Sequence, residues 1–256
     1  MSMSASTDLW IRRFHPAPAA AHRLVIFPHA GGSASFYFPF SKALSPDVDV
    51  LTVQYPGRQD RLAEPLIDSV TGLADALTEV VRPWMDRPVT FFGHSMGASV
   101  AYELALRLPP SRLVVSGRMA PSTWREDYIH TLDDAGVMAK TRELAGTEAE
   151  ALDDPEIMAM VLPTIRNDYR AAELYRGDPR SQVDAPILAM TGDADPRTTS
   201  DEVKAWAEHT TGTLDIEVYP GGHFFLIDNV LAIGAVLLAS PPGTRARPPQ
   251  GDVSGT

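Results

Sequence analysis

The stretch Val89-Thr90-Phe91-Phe92-Gly93-His94-Ser95-Met96-Gly97-Ala98 decides the architecture. Val89 to Phe92 is a short run of β-branched and aromatic residues, the composition of a buried strand. Ala98 to Leu108 is patterned as a helix. Between them lies Gly-x-Ser-x-Gly, with small residues two places on each side of Ser95. A strand that turns sharply into a helix forces its central residue into a strained backbone conformation. Glycines on both sides let neighbouring backbone pass without a clash. The side chain of Ser95 then projects above the strand ends at a helix N-terminus, where free N–H groups favour developing negative charge. Ser95 is the candidate nucleophile.

Working outward, strands alternate with helices. Short β-rich runs occur at Trp10 to Phe14 (an edge strand), Arg23 to Phe27, Asp49 to Val53, Leu113 to Val115, Ile187 to Met190 and Leu214 to Val218. Phe36 to Leu44 and Asp201 to His209 are patterned as helices. Val70, Leu73, Leu77, Val80 and Val81 recur at helical spacing, with Pro83 just beyond. The alternation predicts an α/β fold, a mostly parallel central sheet flanked by helices. From about residue 121 to 183 the alternation fails. Two helices are expected there, Ala135 to Leu144 and Pro155 to Tyr169 or on to Tyr175. Asp153 or Asp154 is the N-cap of the second, with Pro155 at its first position. An insertion between two core strands is expected to form a helical lid; a plain second packing layer is the alternative. The folded domain is expected to span 9–240, with a disordered tail over 241–256.

A serine hydroxyl needs a base. For a nucleophile in this turn the partners follow in the order acid, then histidine. Of seven histidines only His209 and His223 lie late in the chain. His209 ends a helix and fits a structural role at exposed carbonyls. His223 follows a strand and Gly221-Gly222, in a loop able to bend toward Ser95, and is the expected general base. The acid should follow Ile187 to Met190. Asp195 lies far enough beyond that strand to turn under the imidazole, whereas Asp193 is placed to cap the turn through backbone. The oxyanion hole needs two N–H donors: Met96, next to the nucleophile, and Ala30 in the loop Phe27-Pro28-His29-Ala30-Gly31-Gly32-Ser33, with Gly31 as competitor.

Bulk properties exclude other classes. With 33 acidic and 22 basic residues the net charge is −11, which argues against a broad nucleic-acid footprint. There is no cysteine, so disulfides, thiolate metal sites and a cysteine nucleophile are ruled out. The first residues show no secretory pattern, and the apolar run Val230 to Ala239 is too short to span a bilayer. A cytoplasmic protein without membrane contact is expected.

With these parts in place, the sequence resembles the type II thioesterases of polyketide and nonribosomal peptide synthesis. The matching blocks are Phe27 to Gly32, Tyr55-Pro56-Gly57-Arg58, Phe92 to Ala98, Ser116-Gly117-Arg118 with Ala120-Pro121, Gly192 to Pro196 and Gly221 to Leu226. The link Leu108 to Arg112 is shorter than the family's. The resemblance implies an α/β-hydrolase fold with Ser95, Asp195 and His223 as the triad and a helical lid over the acyl site. It implies hydrolysis of aberrant acyl groups from the phosphopantetheine thiol of an acyl or peptidyl carrier protein, with no cofactor or metal. A monomer is the default. Rival readings are another esterase or chain-terminating thioesterase of this fold, and a noncatalytic binding protein built on it.

Several neighbours carry plainer expectations. His94 should pack or hydrogen-bond beneath the site. Arg58 should hold a loop by ion pairing. Met138, Met158 and Met160 are read as core packing before an acyl pocket. Arg118, Arg125, Lys140, Arg142, Arg166, Arg170 and Arg176 lie in or beside the insertion; a border of the entrance and solvated helix faces are equal readings.

Overall fold

Every residue of strand β4 (Val89–His94) is buried, because it is covered on both faces of the sheet. In the computed structural model, which describes residues 9–145 and 154–239, β4 lies at the centre of seven strands. The others are β1 (Ile11–Arg12), β2 (His22–Phe27), β3 (Val48–Val53), β5 (Arg112–Ser116), β6 (Ile187–Gly192) and β7 (Leu214–Tyr219). Their order is β1-β3-β2-β4-β5-β6-β7. All pairs are parallel except β1 with β3; the expected edge strand is there, cut to Ile11–Arg12 and antiparallel to its neighbour.

Alternate residues of each central strand feed two cores. Val25, Phe27, Phe91, Leu113, Val115 and Ile187 face one side, where α2 (Val70–Val81) and α3 (Met96–Ala105) pack. Leu24, Ile26, Phe92, Val114, Leu188 and Met190 face the other, against α1 (Phe38–Leu44) and α7 (Val230–Leu238). This two-sided burial is why those strands read as unbroken apolar runs. The strand expected over Leu214 to Val218 is β7, an edge strand with Asp215 and Glu217 in solvent.

The order reverses direction beside β2. The chain runs from β2 to β3 on one side and then crosses to β4 on the other. The loops leaving β2 and β4 therefore meet at a crevice at the carboxyl ends of the strands, the usual place for a ligand in such sheets.

Among the described residues two α-helices separate β5 from β6: α4 (Asp134–Ala145) and α5 (Pro155–Leu174). The Asp154 carboxylate caps α5, accepting the N–H groups of Glu156 and Ile157 at 2.8 and 3.3 Å. Asp153, the competing cap, lies outside the described residues, as does the tail expected over 241–256. The insertion has its own small core of Ile129, Val137, Met158, Ile165 and Tyr169. Ala171 and Ala172, near the end of α5, join the main core instead. One helix thus belongs to both layers. The short α6 (Ser200–Lys204) carries a capping box between Thr199 and Glu202 and continues as a 3-10 turn to His209.

Candidate active site

The helix after β4 starts at Met96, two residues earlier than its apolar pattern suggests, because Ser95 is itself the N-cap. Ser95 sits at φ 53° and ψ −120°, a sparsely populated region costing about 1–3 kcal/mol. Its own N–H donates to the Ser116 carbonyl at 2.8 Å, which ties the turn to the end of β5. The flanking glycines are steric requirements. A Cβ at Gly93 would stand 2.2 Å from the Gly97 carbonyl oxygen, and one at Gly97 would stand 2.0 Å from the Phe27 carbonyl oxygen.

The predicted partners converge on this turn. His223 Nε2 lies 3.1 Å from Ser95 Oγ. Its Nδ1 lies 3.1 and 3.0 Å from the two carboxylate oxygens of Asp195. With Nδ1–H donated to Asp195, Nε2 is the acceptor for the serine proton. Asp195 and His223 are both buried. The Asp195 carboxylate also accepts the Arg197 N–H at 2.8 Å and the Thr198 hydroxyl at 3.1 Å. Burial pushes this carboxyl up. The hydrogen bond and charge of His223, with the Arg197 and Thr198 donors, outweigh that effect and hold it below the ordinary carboxylate value.

The competing residues go elsewhere. Asp193 is exposed and accepts the Gly221 N–H at 2.9 Å, so it caps the loop that carries His223 and not its own turn as the sequence suggested. His209 is buried against Tyr102, the Ser181 carbonyl and Ser122, a structural role. Gly31 donates its N–H to Asp168 Oδ2 at 2.7 Å, so that donor is already committed. Met96 is the first helical residue, and its N–H has no carbonyl four residues back to bond within the helix.

Two further histidines stand behind His223. The ring centroids of His94 and His223 are 5.0 Å apart, and those of His29 and His94 are 6.0 Å apart. His94 is fully buried, with Nδ1 2.9 Å from Ser116 Oγ, beneath the site as expected. Burial, with the positive charge His223 can carry, holds the His94 imidazole well below its ordinary value. The same two causes, with Arg58, bring His29 down to about 3. Both rings are therefore neutral packing partners near pH 7.

Several residues at the site have no signal of their own in the sequence. Ser116 holds both His94 and the nucleophile turn. Gly117 (φ 58°) leaves room for two imidazoles: a Cβ there would meet His94 Cε1 at 2.8 Å and His223 Cε1 at 3.3 Å. These two were legible only as part of a family block. Asp168, in α5, belongs to no motif; its signal in the sequence is only an acid in an amphipathic helix, and its partner is the buried Arg58. Arg58 does hold a loop by ion pairing, and Asp168 is its partner.

The cations in and beside the insertion are largely used internally. Arg118 donates to Ser99 Oγ and the Ala172 carbonyl, and burial lowers it to about 10. Arg125 pairs with Glu202, Lys140 with Glu143, Arg166 with Asp134 and Arg170 with Asp68. Arg176 bonds the Glu173 and Tyr175 carbonyls. Met158 is buried in the insertion's core and Met138 packs against it, whereas Met160 is exposed. Among the described residues no group of three or more His, Asp or Glu is placed to hold a metal ion, and no helix is long and apolar enough to cross a membrane.

The family model of the thioesterase domain matches residues 22–237. Thioesterase PikA5 of Streptomyces venezuelae is 48% identical over 233 residues, covering 88% of this chain and 83% of that protein. The solved structure of the type II thioesterase BorB, from the borrelidin biosynthetic cluster, superposes with a TM-score of 0.85 at 46% identity. It covers 90% of this chain and 96% of its own. YbtT, a type II thioesterase from the yersiniabactin NRPS/PKS pathway, gives 0.81 at 28% identity, with 90% and 96% covered. The chain belongs to the thioesterase family, and within it to the type II thioesterases, α/β-hydrolases that cleave thioesters.

Proposed function

We propose that this thioesterase removes aberrant or stalled acyl groups from the phosphopantetheine thiol of an acyl or peptidyl carrier protein. Ser95, His223 and Asp195 are its catalytic residues, and the Ala30 and Met96 N–H groups form its oxyanion hole. The observation that carries the reading is the unbroken relay from Ser95 Oγ through both nitrogens of His223 to Asp195.

The chemistry runs in two halves. His223 Nε2 takes the Ser95 proton as Oγ bonds to the thioester carbonyl carbon, and the oxyanion accepts the Ala30 and Met96 N–H groups. The carbon–sulfur bond breaks, and the thiol leaves with the proton from His223. Water then enters, gives a proton to His223 as it bonds to the acyl carbon, and the carbon–Oγ bond breaks as His223 returns the proton to Ser95, freeing the acid. Asp195 keeps the imidazole in the tautomer this requires and stabilises its charged form. The general base supplies about 10²–10⁴ in rate and each oxyanion donor about 10²–10³.

The carrier partner follows from the biosynthetic pathways in which BorB and YbtT are named. The helices over 121–183 act as the lid of the acyl site within a 9–240 domain. The enzyme works as a cytoplasmic monomer, without metal or cofactor. Side-by-side hydrolysis of acyl carrier protein, acyl coenzyme A and a simple ester of the same acyl group tests this. A kcat/KM highest for the carrier supports it. Equal values for carrier and ester would favour a general esterase.

A further inference from the structure

Asp168 and Arg58 form an ion pair that is buried at both ends, with side chains 2% and 6% exposed. A pair of this kind gives little net stability against an apolar replacement, so its retention calls for another reason. Its contacts supply one. Asp168 Oδ2 accepts the Gly31 N–H at 2.7 Å. Arg58 Nε donates to the Gly32 carbonyl at 2.9 Å, and Nη1 donates to the Pro56 carbonyl at 2.7 Å. The two glycines are thus gripped from both sides, one through its N–H and the other through its carbonyl. The peptide unit just before this grip carries the Ala30 N–H.

The grip comes from the insertion. Asp168 lies on α5, and so does Thr164, whose hydroxyl donates to the Gly57 carbonyl at 2.8 Å. Ile165 of the same helix packs over Gly31: a Cβ there, at φ 73°, would meet Ile165 Cγ1 at 2.8 Å. We propose that Asp168 is a positioning residue for the oxyanion hole, through which the inserted helix α5 sets the direction of the Ala30 N–H. Arg58 completes the device. A bare carboxylate bonded to the residue after Ala30 would oppose an oxyanion developing at the Ala30 N–H, and the paired guanidinium offsets that charge while holding Gly32. The inference rests on Ala30 being an oxyanion donor.

The test compares two variants using an alkyl boronic acid, which adds to the serine and places an oxygen in the hole. A small acyl thioester provides the kinetics. Asp168→Asn keeps an oxygen that can accept the Gly31 N–H but loses the charge. Its boronate affinity and kcat should stay within about threefold of wild type while its melting temperature falls. The paired change Arg58→Met with Asp168→Leu removes the grip without stranding a charge. It should fold, yet lose at least about tenfold in kcat and a matching factor in boronate affinity, with KM little changed. If that pair does not fold, Asp168→Ala assayed with and without formate takes its place, and formate should restore boronate affinity.

A folded pair variant with wild-type boronate affinity overturns the proposal. So does an Asn variant that loses as much as the pair, or an Ala variant that formate fails to rescue. Failure of wild-type enzyme to bind the boronate at all would instead overturn the nucleophile and oxyanion assignment beneath it.

Discussion

Asp195 meets His223 through both carboxylate oxygens, at 3.1 and 3.0 Å from Nδ1. Two further donors, the Arg197 N–H and the Thr198 hydroxyl, lock that carboxylate in place. Asp195→Asn keeps the shape of this arrangement but can present an N–H to Nδ1, which turns the imidazole to the wrong tautomer. It should lower kcat by about 10³–10⁴ with little change in KM. Asp193→Asn should leave kcat near wild type, since Asp193 only caps the Gly221 turn. Steady-state kinetics of the two variants on one acyl thioester checks both.

Gly117 provides a steric prediction. Gly117→Ala forces a residue with φ 58° to carry a side chain, and that side chain would meet His94 Cε1 at 2.8 Å and His223 Cε1 at 3.3 Å. The His223 ring must move relative to Ser95, so kcat should fall at least about tenfold. Denaturant unfolding should show a loss of about 1–3 kcal/mol. Full turnover in this variant would mean that the imidazoles are less closely confined than the geometry indicates.

Stability should fall on acidification for two reasons of the same sign. Asp195 lies below the ordinary carboxylate value, so its contribution is present above that value and is lost as pH falls through the depressed one. His29 and His94 are held neutral in the fold. Below about 6.5 the unfolded chain takes up protons that the native rings refuse, His29 until about 3. Stability should therefore decline from about pH 6.5 toward 3. His29→Gln keeps a polar partner for Tyr37 and should flatten this slope by about 1.4 kcal/mol per pH unit within that window. Urea midpoints between pH 7 and 4 give the comparison.

The parts legible in the sequence share one property: each is set by local pattern or by order along the chain. Strand β4, the Ser95 turn, the Asp195 loop and the His223 loop all follow β-runs that a period of two or an apolar run exposes. The sheet order then brings the three together at one crevice. Apolar periodicity places the start of the helix after β4 two residues late because it says nothing about a residue that caps with a strained backbone. The Arg58–Asp168 pair joins residues 110 positions apart on elements with no pairing pattern between them. Only the packing of α5 onto the loop after β2 makes it visible. The cations near the insertion illustrate the same limit: composition marks them as a basic cluster, and the fold pairs Arg125, Lys140, Arg166 and Arg170 with acids while Arg118 and Arg176 bond backbone carbonyls.

The most direct measurement is mass spectrometry of the intact protein and of its digest after brief mixing with an acyl-loaded carrier protein. Wild-type enzyme should gain the mass of one acyl group on a peptide containing Ser95 and then lose it, while the carrier regains its free thiol. Ser95→Ala should fold normally, show no acyl adduct and leave the carrier loaded. An acyl adduct on another residue, or a Ser95→Ala enzyme that still strips the carrier at the wild-type rate, would contradict Ser95 as the nucleophile of a carrier-directed thioesterase.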